Sequence, residues 1–240
     1  MNIRMLLPLI GLTFSASAAL ADEVAGLQTS IGLNAVSAYN WRGGEMSAGD
    51  PSIGASINLS KSGFFGTYAL TTVNLGGAEY EHDLVAGYGT AFGDFSLSGG
   101  LVKVIFSGSR NGLSGSDLSF GEVFVAGAYK GLNAKLARNI DSASADISRL
   151  RNGDVYGELS YMYPFENGLS VGAEVGYYWY DKSGAGANAK DGVSQELAKL
   201  AYQVNKNLTL NANYQFGGKD ASGTDWKQND KFVVGMSYAF

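Results

Sequence analysis

Charged side chains make up only 16% of the 240 residues, against about 25% in a typical soluble domain. Several of them lie inside runs whose apolar residues occupy every second position. In those runs Asp83, Glu122, Glu158 and Glu174 fall on the polar side, with Lys135 and Lys199. Charges held on the inner face of a sheet need partners or water. Two uses fit them: a charged channel wall that sets which ions pass, or a neutralising network that fills a narrow interior and stiffens it. Paired charges at a constriction would serve as both. Asn211 and Asn213 extend the same polar face with neutral amides. Acid exceeds base in this set, so the wall is expected to favour cations.

His82 is the one histidine. Nucleophilic chemistry of the membrane-lipase type would need a Ser beside it. The sequence identifies no such partner, and a place at a strand's rim accounts for His82, so no catalytic residue is assigned. One His and no Cys leave no ordinary metal-ligand set, and no cofactor is implied. Arg110, Arg149 and Arg151 fall in polar stretches between strands, where solvation is expected, with lipopolysaccharide phosphates as the alternative partner.

The elements that must position these residues are strands. In Lys231 to Phe240, Phe232, Val234, Met236, Tyr238 and Phe240 share one face, and Val233, Gly235, Ser237 and Ala239 the other. That period of two marks a strand with one greasy face. The clearest case is Leu169 to Tyr180. There Leu169, Val171, Ala173, Val175, Tyr177 and Trp179 alternate with Ser170, Gly172, Glu174, Gly176 and Tyr178. Val175 is expected to face lipid. Gly176 is expected to face the interior and to accept a Ser with little effect. Gly99-Gly100 is the expected place of a bulge that swaps facing, which would decide whether Lys103 points inward.

About twelve such strands follow one another, joined alternately by tight turns and longer polar loops. The fold class expected is all-β: an antiparallel transmembrane β-barrel with short periplasmic turns and longer extracellular loops. The last strand should close on the first. Aromatics near strand ends form two expected girdles. Trp41, Tyr80, Trp179, Phe216 and Phe232 are assigned to the outer one. Phe65, Phe92, Phe95, Tyr129, Tyr163, Tyr202, Tyr238 and Phe240 are assigned to the inner one. Arg42 to Asp50 is expected to be an outer loop. Tyr238 and Phe240 are the expected membrane-assembly signal, read by the barrel-assembly machinery.

Residues 1–21 have the form of a cleaved signal peptide: Arg4, an apolar run from Leu6 to Phe14, and Ala19-Leu20-Ala21 as the cut site. Residues 22–240 are then the barrel domain. Zero Cys suits a chain exported through an oxidising periplasm. A net charge of -5 with no basic patch argues against nucleic acid. The expected place is the cell outer membrane of a bacterium. The expected partners are membrane lipid, lipopolysaccharide and small solutes, and the oligomeric state is left open.

Tyr39-Asn40-Trp41-Arg42-Gly43, Gly49-Asp50-Pro51 and Ser62-Gly63-Phe64-Phe65-Gly66 resemble the opening of the TorF porin family, also called the Gcw_chp family. Glu81-His82-Asp83-Leu84 with Gly87-Tyr88, then Glu122-Val123 and Tyr156-Gly157-Glu158, are similar to later blocks of its pattern. Val104-Ile105-Phe106-Ser107 departs from it, where the family often has a Tyr-rich segment ending in Pro. The resemblance implies an outer-membrane barrel with a porin-like role and names no substrate. The function expected is passive passage of small hydrophilic solutes or ions. A non-conducting structural or surface-interaction barrel is the alternative, and a lipase-type membrane enzyme a weaker one.

Overall fold

The computed structural model describes residues 26–110, 113–143, 151–183, 189–217 and 229–240. The signal-peptide residues 1–21 and Arg149 lie outside them, as does the side chain of Arg110. Twelve antiparallel strands close into a barrel. They are β1 (Gln28–Val36), β2 (Ser52–Lys61), β3 (Phe64–Leu75), β4 (Ala78–Phe92), β5 (Phe95–Ser107) and β6 (Phe120–Tyr129), then β7 (Leu132–Ser142), β8 (Val155–Pro164), β9 (Leu169–Trp179), β10 (Gly192–Gln203), β11 (Leu208–Gln215) and β12 (Lys231–Ala239). Each strand pairs with its sequence neighbours, and β1 also pairs with β12, Leu33 opposite Tyr238. Closure leaves no strand edge unpaired, which is what a sheet with a greasy outer face requires.

The outer face is apolar because alternation puts every second residue there. Ile53, Ile57, Leu84, Leu101, Val125, Leu136, Leu159, Val175, Leu200 and Met236 are all exposed on it. One end of the barrel has tight turns, such as Ser62-Gly63, whose positive φ angles of 52° and 87° suit a two-residue hairpin. The other end carries the longer connections, apart from Gly76-Gly77 between β3 and β4.

Three expectations need correction here. No bulge interrupts β5: its pairing runs unbroken through Gly99 and Gly100 with both β4 and β6. Lys103 therefore keeps the parity of Leu101 and Ile105, faces outward, and pairs with Asp141 on the outer wall. Phe65 turns into the interior, because Phe64 takes the outward position at the start of β3. Trp41 is no rim aromatic. It is buried inside the barrel with Tyr39, on a segment that leaves the wall after Val36.

Candidate functional site: a hairpin across the lumen

Residues 38–47 fold back into the barrel, so Arg42 to Asp50 is not the outer loop expected: only its last residues, 48–50, are exposed. Asn40–Trp41 pairs with Gly44–Glu45 in a small hairpin whose tip is Arg42-Gly43. Its apolar residues explain why it turns inward. Tyr39, Trp41 and Met46 pack on an apolar bed formed by Val102, Val104 and Phe106 of β5 and Phe120 and Phe124 of β6. The rings of Trp41 and Phe120 are 5.5 Å apart. Burying each such side chain contributes about 1.5–3 kcal/mol. Val104 and Phe106 serve as seats for the hairpin.

The polar groups of the hairpin find partners on strands all round the wall. Tyr39 donates its hydroxyl to Glu81 on β4 at 2.7 Å. The Gly43 amide donates to Gln195 on β10 at 2.8 Å, and Gln215 on β11 donates to the Gly43 carbonyl at 3.4 Å. The Asn74 amide of β3 donates to the Met46 carbonyl. Glu45 pairs with Lys231 on β12. The hairpin thus spans the interior near the long-loop end of the barrel.

Arg42 is the centre of this contact. Its two terminal nitrogens donate to the two oxygens of Glu122 at 2.6 and 2.7 Å. Its guanidinium lies 4.4 Å from the Trp41 ring centre, 4.3 Å from Tyr156 and 6.0 Å from Tyr178. The side chains of Arg42 and Glu122 are only 3% and 1% exposed. A fork-to-fork pair in so dry a place is among the stronger charge-assisted contacts. It has strain to offset: Arg42 has φ of 49°, in the left-handed region, which costs a residue with a Cβ about 1–2 kcal/mol. A strained residue held at the tip of a buried loop is the kind found where function resides.

The inner wall carries the rest of the charge. Asp83 and Lys135 are buried, and Lys135 stands opposite Glu158 across β7 and β8. Lys199 donates to Glu174 at 2.7 Å, and Gln195 donates to the same carboxylate. Tyr156 donates to Glu158 at 3.4 Å. Asn211 and Asn213 lie on the inner side of β11, farther along the wall. The eight polar residues singled out from the sequence thus share the interior, but not as one cluster. Glu122 belongs to the hairpin contact, Glu174 and Lys199 form a separate pair, and the asparagines continue past it. Among the described residues, six carboxylates (Glu45, Glu81, Asp83, Glu122, Glu158 and Glu174) face four cations (Arg42, Lys135, Lys199 and Lys231) around and beneath the hairpin.

The sequence reading missed Arg42, Tyr39, Glu81, Tyr156, Tyr178 and Gln195 as site residues. The available signal was chemical: Tyr39, Trp41 and Met46 are too apolar for a solvated loop. The blocks Tyr39–Gly43, Glu81–Leu84, Glu122-Val123 and Tyr156–Glu158 all meet at this hairpin.

Outside the lumen, His82 lies on the outward face of β4. It has the partners that the sequence did not identify: its Nδ1 is 2.9 Å from the Tyr68 hydroxyl and its Nε2 is 2.9 Å from Ser107 Oγ. Both ring nitrogens are thereby satisfied on a wall where an unpaired polar group is costly. The third member is a phenol, not a carboxylate that would stabilise an imidazolium. Arg151 departs from its expectation: it is 7% exposed and sits 3.9 Å from Asp154, so it is not a solvated loop charge. In the connections at this end, Asp191 is held below the usual carboxylate range by hydrogen bonds from Lys182 and the Tyr180 amide. Asp230 is held low by the Tyr214 hydroxyl and the Gly217 amide.

The barrel is similar to solved porins. A KdgM porin matches at a TM-score of 0.55 and 14% identity, over 88% of this chain and 99% of that one. A KdgM porin in complex with disordered oligogalacturonate matches at 0.52 and 14%, over 88% and 99%. A NanC porin matches at 0.53 and 12%, over 88% and 98%. At such identities the likeness shows the fold. No curated protein matches the chain. The model of the Gcw_chp family, described as a bacterial protein of unknown function, matches residues 20–191. This chain is a member of the Gcw_chp family, built as a closed twelve-stranded barrel of the porin type.

Proposed function

We propose that the protein is an outer-membrane channel for passive passage of small hydrophilic solutes or ions, normally narrowed by the hairpin of residues 38–47. The observation that carries this reading is the charged, water-compatible inner wall of a closed barrel whose outer wall is apolar. Twelve strands lie between the filled eight-stranded barrels and the open sixteen-stranded porins, a size at which one hairpin is enough to control the lumen. The long connections face the cell exterior and the tight turns the periplasm, as in barrels of this class. Outer-membrane lipid and lipopolysaccharide then surround the wall, and the assembly machinery inserts it.

The preferred solute differs from the one named for the similar porin. Oligogalacturonate is a polyanion, and six carboxylates against four cations make a poor path for it. An inner wall with surplus acid concentrates cations. Purified, refolded protein in a planar bilayer tests the reading. Discrete conductance steps with mild cation preference at low salt, fading as salt screens the wall, are expected. Silence across voltages and salts would sink it and favour the second reading, a non-conducting barrel sealed by the same hairpin.

A further inference from the structure

Arg42 is bound the way a ligand is bound. Glu122 supplies both oxygens to the two terminal nitrogens, at 2.6 and 2.7 Å. Tyr156 supplies a ring face at 4.3 Å, and the Tyr178 hydroxyl stands 3.3 Å from one guanidinium nitrogen. These three groups belong to β6, β8 and β9. They are wall residues, on strands that the hairpin does not carry. Tyr156 and Tyr178 are each 1% exposed, with their rings 4.9 Å apart. The receiving half of the contact is therefore built by the wall alone: one carboxylate and two aromatic rings. Only the Trp41 ring and the guanidinium are carried by the hairpin.

We propose that Glu122, Tyr156 and Tyr178 form a receptor for guanidinium-type organic cations, which Arg42 fills from within the same chain. Solutes of that class compete with Arg42 for the pocket. The two-oxygen fork selects a planar guanidinium over a compact ammonium, and the rings favour a cation over a neutral isostere. The strained backbone of Arg42 makes its own occupancy less favourable than its contacts alone would give. Beneath the pocket, Glu158 and Glu174 continue the wall with Lys135 and Lys199 beside them, and a displaced cation would compete with these lysines as it passes. Only this last step, passage, rests on the channel reading. Occupancy of the pocket does not.

The test is binding to the intact barrel in detergent, read by thermal unfolding. Arg42→Ala empties the pocket. Methylguanidinium should then raise Tm saturably, on the order of 3–6 °C at ten times its Kd, and methylurea, its neutral isostere, should not. The rise should vanish in Arg42→Ala/Glu122→Gln and be small in the wild type, where Arg42 is in place. Should Arg42→Ala refold poorly, Arg42→Gln keeps two methylenes of the stem and still removes the cation. Equal responses to methylguanidinium and methylurea, or a response that survives Glu122→Gln, overturn the proposal and leave the contact as a structural staple. Binding is read without current, so the two claims fail separately. A silent bilayer with methylguanidinium binding removes the channel and keeps the receptor. A conducting barrel with no such binding does the reverse.

Discussion

Val175 and Gly176 are neighbours on β9, and changing each should damage a different property. Val175 is exposed on the outer wall, while Gly176 lies inward, between Glu158 of β8 and Gln195 of β10. Val175→Arg puts a charge against lipid and should destabilise the barrel by about 2–4 kcal/mol. Gly176→Ser would be mild in an open lumen, but this position is not open. A Cβ there would lie 2.9 Å from two ring atoms of Tyr156, closer than real Cβ contacts come. Tyr156 is packed against Tyr178 and has little room to give. Overpacking of this kind costs about 1–3 kcal/mol. It falls on the ring beneath Arg42, so it should weaken the hairpin contact more than the barrel. Denaturant titrations of folded protein in detergent measure the first effect, and single-channel recordings the second. The expected result is that Val175→Arg lowers the unfolding midpoint and leaves conductance unchanged in the folded fraction. Gly176→Ser should raise conductance or open probability with a smaller loss of stability. A Gly176→Ser variant that matches the wild type in both assays would refute the packing argument. A tolerated Val175→Arg would mean that β9 faces the other way.

Glu158→Gln with Glu174→Gln should move the reversal potential in a salt gradient toward zero, because it removes surplus negative charge from the inner wall. A loss of stability with selectivity unchanged would instead mark these carboxylates as locked in their pairs. Deleting Phe240 should lower the folded level in the outer membrane, measured by heat-modifiable gel migration, and an unchanged level would remove the terminal aromatic from the assembly signal. His82→Ala should leave conductance unaltered, and the wild type should show no phospholipid hydrolysis; turnover lost in Ser107→Ala would give the Ser107–His82 contact a catalytic meaning. Asp191 and Asp230 have carboxyl pKa values below the ordinary figure of about 3.9. A depressed value means that their tethering is fully present above the unfolded pKa and lost as pH falls through the folded one. Hydrogen exchange at the Tyr180 and Gly217 amides, corrected for intrinsic rates, should thus keep its protection from pH 7 to pH 5 and lose it only in stronger acid; loss near neutrality would contradict the assignment.

The barrel was legible in the sequence because its physics is local. Alternation at Leu169 to Tyr180 and Lys231 to Phe240 reports facing directly, and the structure keeps both. Phe64-Phe65 and Gly99-Gly100 were harder. Two adjacent rings give no parity, and adjacent glycines show no facing at all. The hairpin was hidden for another reason. Tyr39 and Trp41 keep the parity of Leu33 and Ala35 in β1, so period alone extends that strand to the rim. What turns the chain inward is tertiary: the apolar bed on β5 and β6, the Glu122 fork and the Arg42-Gly43 turn. No pattern within residues 38–47 encodes a partner 80 positions away.

The central claim is that this hairpin is the barrier in the channel, and the absence of Cys allows it to be fastened at will. Glu45 and Lys231 are in contact between the hairpin and β12. In an Arg42→Ala background, Glu45→Cys and Lys231→Cys can be joined by a short, reductant-cleavable thiol cross-linker, with single-channel conductance recorded before and after cleavage. The account predicts low conductance while the link holds and a rise when reductant releases it. Equal conductance in both states would mean that the hairpin does not set the barrier.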